Sequence, residues 1–419
     1  MPAKVLLLSS VGWPSVARLA AGFAHAGCSV DALAPDGAAV AASRYLAHHH
    51  LYRALYPLSS MRVAIEAAAP QLAICCDDRA LAQLLDLYRK HAEASRFGDL
   101  IETSLGNPAA VPRLISRYGF MEEARAEGIR VPDTLPVATK CDLEAAIAAL
   151  GFPLVLKSDG SWGGDGVVLA RNAADARAAF VRLARAPSRL RSLARAIRRR
   201  DTHYLHDVIT PASRIVSAQR FIPGLPAASA FAAWRGEIVG AVYYDVLIAE
   251  GALGPPSVIR RVDCTEIAHA TRKIARRFGL SGIHGMDFIR DSTGTPHLIE
   301  INPRATQGST LAFGPGRDLP AALAGCLIPD APARPAFAND LVAFFPREWK
   351  RDPLSPYLVS AYHDVPWDDP GILLASLGVP AKRVSGASAL PLKVVRESIE
   401  PRTSASMSSR PNSSAAIHR

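Results

Sequence analysis

The chain has 419 residues, 49% of them hydrophobic and 21% charged, and a formal net charge of +10 at pH 7. This length predicts two or three domains, and the composition is that of an ordinary globular protein in water. No apolar run approaches the roughly 20 residues that span a bilayer, and the six cysteines lack the spacing of a disulfide framework. These features argue against a membrane protein or a disulfide-stabilised secreted protein, and we expect a cytoplasmic location.

The N-terminal part has the pattern of a doubly wound α/β domain. Val5 to Leu8 is a short apolar strand, a helical pattern extends from about 15 to 26 and ends at Gly27, and a second strand follows at 29–33. A strand–helix–strand opening of this kind predicts a parallel sheet. It lacks GxGxxG, so a dinucleotide site is not indicated. We assign residues 1–106 to this Rossmann-like domain.

Two polar stretches of this domain each have two interpretations. Asp77 and Asp78 follow the apolar strand 71–76, at the strand end where ligands bind in parallel sheets, but an Asp before a helix is also the usual N-cap. Both interpretations stay open. The triplet His48 to His50 contains metal-binding side chains, but a lone triplet beside a helix is more often solvated surface, which is what we expect here.

A lysine in an apolar strand marks the second domain. Asn107-Pro108 breaks the preceding pattern, helices are predicted at 110–128 and 142–150, and the strand 152–158 carries Lys157. A buried ammonium group needs a negatively charged partner.

The partner of this lysine is predicted by the next stretch. It contains four glycines and a serine that let the backbone approach a ligand closely and direct N–H groups at an anion: Gly160, Ser161, Gly163, Gly164 and Gly166. Lysine and loop together predict a phosphate site, although the GxxxxGK[ST] order of a Walker A loop is absent. The alternative is a flexible hairpin loop beside a lysine that extends to solvent.

A basic segment follows. Eight arginines lie between Arg182 and Arg200. Such a cluster suits nucleic acid, membrane phosphates or an acidic partner, but no aromatic residue is interleaved for base stacking. We expect a solvated amphipathic helix inserted in a lid, and we do not expect nucleic acid or a membrane as partners.

Three strands and a helix come next. A strand at 215–222 is followed by Pro223-Gly224, and strands at 228–234 and 237–245 meet at Arg235-Gly236, the pattern of a hairpin. Residues 263–279 have apolar positions at helical spacing.

The hairpin at 282–304 carries the most informative side chains. Two apolar runs flank Ser292-Thr293-Gly294, and a turn centred on Thr293-Gly294 places Asp287 opposite Glu300. Asn302 shares the face of Glu300, because side chains alternate along a strand. Two carboxylates on one face repel each other unless a cation or proton separates them, and oxygen ligands favour Mg²⁺ held jointly with phosphates. The alternative is that these acids are solvated or paired with Arg290 and Arg304.

The C-terminal part is less informative. Residues 309–328 are predicted to be partly helical, and 329–335 is a proline-containing linker. We treat 331–397 as a C-terminal extension and expect 398–419 to be a disordered tail.

Five segments follow one another between about Asn107 and Leu327. They are the strand with Lys157, the glycine loop, the strand at 215–222 (which we call the hinge strand), Asp-Phe-Ile at 287–289 and Glu-Ile-Asn-Pro-Arg at 300–304. In this order they resemble the ATP-grasp superfamily, specifically its carbamoyl-phosphate-synthase-like and biotin-carboxylase-like members. The resemblance implies an α+β ATP-grasp domain at 107–330, with a mobile lid at about 155–222 that includes the basic insertion 182–200. The N-terminal domain is then the pre-ATP-grasp domain of these proteins.

The resemblance also implies roles for particular residues. It implies that ATP is bound by Arg117, Lys157, Gly160, Ser161, Gly163, Gly164, Gly166, Gln219, Arg220 and Ile222. It implies that the metal ligands are Asp287, Glu300 and Asn302. Of the two catalytic residues that the resemblance implies, Arg304 would steady the transferred phosphoryl group or the substrate carboxylate, and Lys157 would contact the α- and β-phosphates. The sequence departs from the family pattern at Gln219, where a glutamate is common, and at Pro226, where an acid often binds the ribose, so the resemblance does not fix the nucleotide.

The function implied by the resemblance is that of an ATP-grasp carboxylate–amine ligase. It would use ATP and Mg²⁺, or Mn²⁺ in its place, to convert a small carboxylate to an acyl phosphate, join it to an amine and release ADP and phosphate. The alternatives are activation of bicarbonate, as in carbamoyl phosphate synthase, and a protein that binds or senses ATP without turnover. A homodimer is a further expectation.

Overall fold

Three β-sheets organise the chain. The computed structural model describes residues 2–91, 95–159, 166–184, 197, 215–251 and 254–378. The sheets have four, four and seven strands. We call them the N-terminal sheet, the lid sheet and the large sheet. None of the helices in the described ranges is both long enough and apolar enough to cross a bilayer.

The N-terminal sheet is parallel and is covered by helices. Its elements are β1 Lys4–Leu8, α1 Pro14–His25, β2 Ser29–Ala34, β3 His48–Leu51, α2 Pro57–Ala68, β4 Leu72–Cys75, α3 Asp78–His91 and α4 Ser95–Leu105. The strand order is β3-β2-β1-β4. Leu6 and Leu8 of β1 face one apolar cluster, and Val5 and Leu7 face another. Burial on both faces explains the continuous apolar run of this strand, and the doubly wound arrangement is confirmed.

The histidine triplet differs from the prediction. It forms edge strand β3, and His50 Nε2 lies 2.9 Å from the Asp31 carboxylate of neighbouring β2. His48 Nδ1 lies 3.4 Å from the other oxygen of Asp31. The prediction of a surface triplet beside a helix was wrong in its local structure, because pairing with β2 was not visible in the sequence.

The helical segment before the lid sheet is broken. One helix was predicted over 110–128, but the structure has α5 Val111–Ile115 and α6 Arg117–Ala126. Ser116 between them is extended, and its hydroxyl accepts a hydrogen bond from the Gly119 N–H at 3.2 Å. A serine N-cap of this kind starts a new helix, and it places Arg117 in the first turn of α6.

The lid sheet is antiparallel. Its elements are β5 Thr134–Val137, α7 Lys140–Leu150, β6 Leu154–Ser158, β7 Val167–Ala170, α8 Ala173–Ala184 and β8 Val216–Arg220. The order is β5-β8-β6-β7, and α7 and α8 pack on one face. The predicted amphipathic helix in the basic insertion falls largely outside the described residues.

The large sheet contains the predicted hairpin. Its elements are β9 Leu225–Trp234, β10 Glu237–Ala249, β11 Pro256–Arg261, α9 Thr265–Phe278, β12 Gly282–Arg290, β13 Pro296–Asn302, α10 Leu319–Ala324, β14 Leu341–Phe344, α11 Arg347–Arg351, α12 Tyr357–Ser360, β15 Tyr362–Asp364 and α13 Pro370–Ser376. The strand order is β13-β12-β9-β10-β11-β14-β15. Helix α9 packs on one face, and α10 and the N-terminal domain cover part of the other.

The predicted C-terminal extension contacts both the large sheet and the N-terminal domain. Its strands β14 and β15 extend the edge of the large sheet. Asp364 at the end of β15 forms an ion pair with Arg18 of α1, and Asp369 accepts a hydrogen bond from the Ser43 hydroxyl at 2.6 Å. These contacts connect the large sheet to the N-terminal domain. The predicted tail 398–419 lies outside the described residues.

Candidate functional site

A β-bulge sets the arrangement of the two acids on the hairpin. Phe288 pairs with Leu298, and the next pair towards the start of β12 is Asp287 with Glu300. Ile299 is therefore an extra residue on β13. In a regular ladder Asp287 would lie opposite Ile299, and Glu300 would be out of register. Bulges commonly redirect side chains next to functional sites. The predicted opposition of Asp287 and Glu300 is correct, but the bulge produces it.

The carbonyl group of the bulge binds the strand lysine. Lys157 on β6 of the lid sheet donates from Nζ to the Ile299 carbonyl oxygen of the large sheet at 3.1 Å. The lysine is only 5% exposed. Burial lowers its pKa to about 8, against the opposing effect of the Glu300 carboxylate. The lysine thus joins the two sheets next to the paired acids.

Arg117 completes a compact group of charges. Its Nη1 lies 3.1 Å from Glu300 Oε2, and its backbone N–H donates to Asp159 Oδ1 at 3.1 Å. Burial raises the pKa of Asp159, and burial followed by the Glu300 carboxylate raises the pKa of Asp287 to about 6. A raised carboxyl pKa means that its negative charge is poorly stabilised, so an additional cation would be favourable here.

The candidate metal ligands on the hairpin are oxygen atoms. Asp287 and Glu300 present two carboxylates, and proteins commonly hold Mg²⁺ by one or two carboxylates together with substrate phosphates and water. Asn302 is less suitable as it stands, because its Nδ2 donates to Asp287 Oδ2 at 2.9 Å and its Oδ1 accepts from Arg304 Nη2 at 3.2 Å. Within the described residues no group of three or more His, Cys, Asp or Glu side chains could hold a metal ion. Two carboxylates without a third such ligand fit a divalent ion only when phosphate oxygens share it.

Arg304, which follows the hairpin, contacts the N-terminal domain. Its Nε lies 2.9 Å from Asp78 Oδ2, at the start of α3. Arg290, the other predicted neutraliser of the hairpin acids, instead forms a two-point ion pair with Asp245 at 2.9 Å. Pairing of Asp287 and Glu300 with Arg290 and Arg304 is therefore not what the structure contains. The contact between Asp78 and Arg304 was not anticipated, since the two residues are far apart in sequence.

Asp77, which had two interpretations, is an N-cap. Its Oδ1 accepts from the Ala80 N–H at 2.8 Å, as expected of an aspartate preceding a helix. It also accepts from the Ser9 hydroxyl at 3.0 Å and from the Ser10 N–H at 2.7 Å. This buried network fixes the loop after β1 to the start of α3.

The predicted hinge residues are largely engaged with the lid sheet. Gln219 is buried in β8 and donates from Nε2 to the Thr134 hydroxyl at 3.1 Å, a bond that does not use its amide oxygen. Arg220 donates from Nε to Asp133 Oδ2 at 3.1 Å, so its guanidinium is directed to the β5 side. Ile222 lies beyond the end of β8, partly buried, in the connection to β9.

The predicted glycine loop connects two strands whose pairing is described. Strands β6 and β7 are antiparallel, with Lys157 opposite Val167. The Gly166 carbonyl accepts from the Ser158 N–H at 2.9 Å, which closes the base of the loop. Gly160, Ser161, Gly163 and Gly164 lie outside the described residues.

Two residues near the acids were missed by the sequence analysis. Asp159, which holds the N–H of Arg117, directly follows the lysine strand, and its acid character at that position was a usable signal. Tyr244 is buried and lies in the cross-strand row Tyr244, Ala228, Asp287 and Glu300, which runs through β10, β9, β12 and β13. Burial and the Asp287 carboxylate raise the pKa of this phenol. Only strand order places Tyr244 in this row.

A cavity of about 440 Å³ lies elsewhere, on the α9 side of the large sheet, and is lined in part by Arg130, Glu266, His269, Lys273 and Phe288. It contains none of the predicted site residues.

Comparison with known proteins identifies structural relatives. No family model matches the sequence, and no curated protein matches it. Solved structures do match. One is N5-carboxyaminoimidazole synthetase from Staphylococcus aureus complexed with ADP, with 14% identity, a TM-score of 0.54, and coverage of 80% of this chain and 79% of that chain.

Two further structures extend this likeness. The biotin carboxylase domain dimer of 2-oxoglutarate carboxylase from Hydrogenobacter thermophilus, complexed with MgADP, ADP and bicarbonate, has 14% identity and a TM-score of 0.56, over 78% of this chain and 70% of that chain. Carboxyaminoimidazole ribonucleotide synthase from Aspergillus clavatus, complexed with ATP, has 15% identity and a TM-score of 0.56, over 79% of each chain. At these identities the likeness is one of fold.

Proposed function

We propose that this chain, which has the ATP-grasp fold of biotin carboxylase and its structural relatives, is an ATP-dependent ligase. The reaction converts a small carboxylate to an acyl phosphate, which an amine or similar nucleophile then attacks, with release of ADP and phosphate. The single observation that supports this best is the hydrogen bond from Lys157 to the carbonyl between the two sheets, 3.1 Å long and adjacent to Asp287 and Glu300. It brings a buried ammonium group next to two carboxylates, as a phosphate site beside a metal site would require.

The charged side chains have complementary roles in this proposal. Lys157 and Arg117 hold the phosphate oxygens of ATP, and Asp287 and Glu300 hold Mg²⁺. When bound, Mg²⁺ neutralises charge that develops on the phosphates during transfer. Glu300 is paired with Arg117 in the structure and would hold the metal together with Asp287. Because phosphoryl transfer requires positioning and charge stabilisation more than covalent chemistry, no protein nucleophile is needed.

Arg304 and the lid complete the proposed mechanism. Arg304 lies two residues beyond the end of β13, next to Asp78 of the N-terminal domain, and in this proposal it stabilises the negative charge of the transferred group or of the substrate carboxylate. The predicted glycine loop, Gly160 to Gly166, lies outside the described residues except for Gly166. In this proposal its role is to exclude water, which would otherwise hydrolyse the acyl phosphate.

Bicarbonate is a candidate acceptor within the same chemistry. The Hydrogenobacter thermophilus relative is a complex with MgADP, ADP and bicarbonate. Bicarbonate therefore belongs in any acceptor panel. Mn²⁺ as the metal, the homodimer and the assignments of Gly160 to Gly166 are further parts of the proposal.

The experiment measures ADP release from MgATP by a coupled assay. The protein is incubated with bicarbonate, and separately with pools of small carboxylates, each with and without a pool of amines. We expect one combination to raise ADP release, and Glu300→Ala to abolish that increase. Glu237→Ala is the matched control, because Glu237 is an exposed residue at the tip of the β9–β10 hairpin.

Two results would count against the proposal. If ATP binds tightly and no pool raises ADP release, a non-catalytic ATP-binding protein is the better description. If a pool raises ADP release but Glu300→Ala retains the increase, the reaction takes place without the proposed metal site.

A further inference from the structure

Arg304 is held by oxygens from two domains. Its Nε lies 2.9 Å from Asp78 Oδ2, an ion-pair distance at which the Nε–H makes no hydrogen bond. Its Nη2 donates to Asn302 Oδ1 at 3.2 Å, and its Nη1 donates to the Ala305 carbonyl at 3.2 Å. Each Nη atom carries a second N–H group, since guanidinium has five. Asp78 is the carboxylate in this set, and it comes from the N-terminal domain.

The Asp78 backbone is rigidly placed. It is the first residue of α3, and the preceding Asp77 accepts hydrogen bonds from Ser9, Ser10 and Ala80 in a buried network. The Ala305 N–H donates to the Cys75 carbonyl at the end of β4 at 2.9 Å, which fixes the segment after β13 to the same strand end.

The ion pair is well suited to orient a side chain. The two side chains are 22% and 26% exposed, so the pair is screened less than a surface pair but remains open to the solvent side of the site. Without the Asp78 carboxylate, the long arginine side chain would keep only two neutral oxygen partners. A guanidinium with fewer fixed partners samples more rotamers and loses the pre-organisation that transition-state stabilisation requires.

We propose that Asp78 is a positioning residue for Arg304, and that through it the N-terminal domain controls the orientation of the guanidinium toward the transferred phosphoryl group. The inference deepens the proposed ligase function and rests on it. Asp78 itself does not touch the nucleotide. Its removal affects the transfer step and the binding of the phosphate product, and leaves the binding of MgATP through Lys157 and Arg117 unchanged.

The experiment compares Asp78→Asn and Asp78→Glu with wild type. Asp86→Asn is the matched control, since Asp86 lies on the same helix, is 51% exposed and pairs only locally with Arg89. The first readout is kcat and KM for MgATP in ADP release with the activating pool. The second is the titration of inorganic phosphate into protein saturated with MgADP, followed by calorimetry.

We expect Asp78→Asn to lower kcat about tenfold, equal to about 1.4 kcal/mol, with KM for MgATP within about twofold of wild type. Phosphate affinity should fall by a similar factor. Asp78→Glu, which restores a carboxylate, should recover part of both, and Asp86→Asn should alter neither. Unchanged thermal unfolding of Asp78→Asn would separate positioning from loss of structure.

Several results would overturn the inference. One is an Asp78→Asn variant with wild-type kcat and phosphate affinity; another is a fall in kcat matched by an equal rise in KM for MgATP. If wild type releases no ADP with any pool, the ligase proposal fails, and the phosphate titration alone decides the role of Asp78. The inference is also overturned if wild-type protein saturated with MgADP binds no inorganic phosphate.

Discussion

Replacement of Lys157 by methionine should make the nucleotide-free protein more stable while removing its proposed activity. Burial lowers the pKa of Lys157 from 10.5 to about 8, so the folded state disfavours the protonated amine. At about 1.4 kcal/mol for each pH unit, the difference amounts to roughly 3 kcal/mol at neutral pH. Lys157→Met removes this cost and loses the hydrogen bond to Ile299, worth about 1 kcal/mol. The expected net gain at pH 7 is about 2 kcal/mol.

The gain should depend on pH. Between pH 8 and pH 10.5 the unfolded lysine is still protonated and the folded one is not, so the unfolded state binds more protons there. The free energy of unfolding of wild type therefore rises with pH across this interval. The variant has no lysine at this position and lacks that increase. Its advantage should decline from about 2 kcal/mol at pH 7 to zero or below near pH 10.5.

Urea unfolding at several pH values, in EDTA and without nucleotide, measures both effects. Lys90→Met is the matched control, because Lys90 is exposed on α3 and should show a pH-independent difference close to zero. A Lys157→Met variant that is less stable than wild type at pH 7, or a stability difference that stays constant up to pH 10.5, would refute the reasoning. If Lys157→Met does not raise the free energy of unfolding, the neighbouring carboxylates stabilise the ammonium group of Lys157 more than burial destabilises it.

Three further predictions concern other groups. Because burial and Glu300 raise the pKa of Asp287 to about 6, Mg²⁺-dependent nucleotide affinity should fall as pH drops from 7 to 5; equal affinity at both pH values, measured by calorimetry, would contradict this. Glu348 is fully buried; burial raises its pKa, but hydrogen bonds, first that from Arg351, lower the pKa to about 2 overall. Glu348→Gln should therefore lower the free energy of unfolding by about 3 kcal/mol at pH 7. A loss below about 1 kcal/mol in urea unfolding would be inconsistent with this prediction. Gly282→Ala should destabilise the protein by more than about 1 kcal/mol, because φ at Gly282 is +94° and the new Cβ would lie 2.4 Å from a carbonyl oxygen of α4. Gly279→Ala should cost less, because φ there is +59° and no atom lies within 4 Å of the new Cβ. The reverse order of the two variants in thermal unfolding would refute this prediction.

Short-range patterns predicted much of the fold and of the candidate site. The hairpin β9–β10 turns at Arg235-Gly236 as predicted, with both residues at positive φ, because few residue pairs suit such a turn. Lys157 was recognised because a charge in an apolar strand is costly without a partner. The resemblance to ATP-grasp proteins, read from motif order, is confirmed at the level of the fold.

Other features needed the three-dimensional structure. The predicted turn centre was displaced, since Arg290 pairs with Pro296 around a loop at 291–295, and the bulge at Ile299 alone restores the opposition of the acids. A bulge cannot be predicted from the alternation of side chains along a strand. It shifts the pairing of the two strands by one residue, and a turn of different length would produce the same shift.

From the sequence we could predict which residues carry the proposed chemistry, namely the acids, the lysine and the arginines, and in which order they lie along the chain. The tertiary structure alone decided their partners, such as Asp78 for Arg304, Arg117 for Glu300 and Asp364 for Arg18. The physical reason is range. Helix and strand periodicity, caps and turns depend on neighbours a few residues away, whereas an ion pair between domains depends on how sheets and helices pack, which no local pattern encodes.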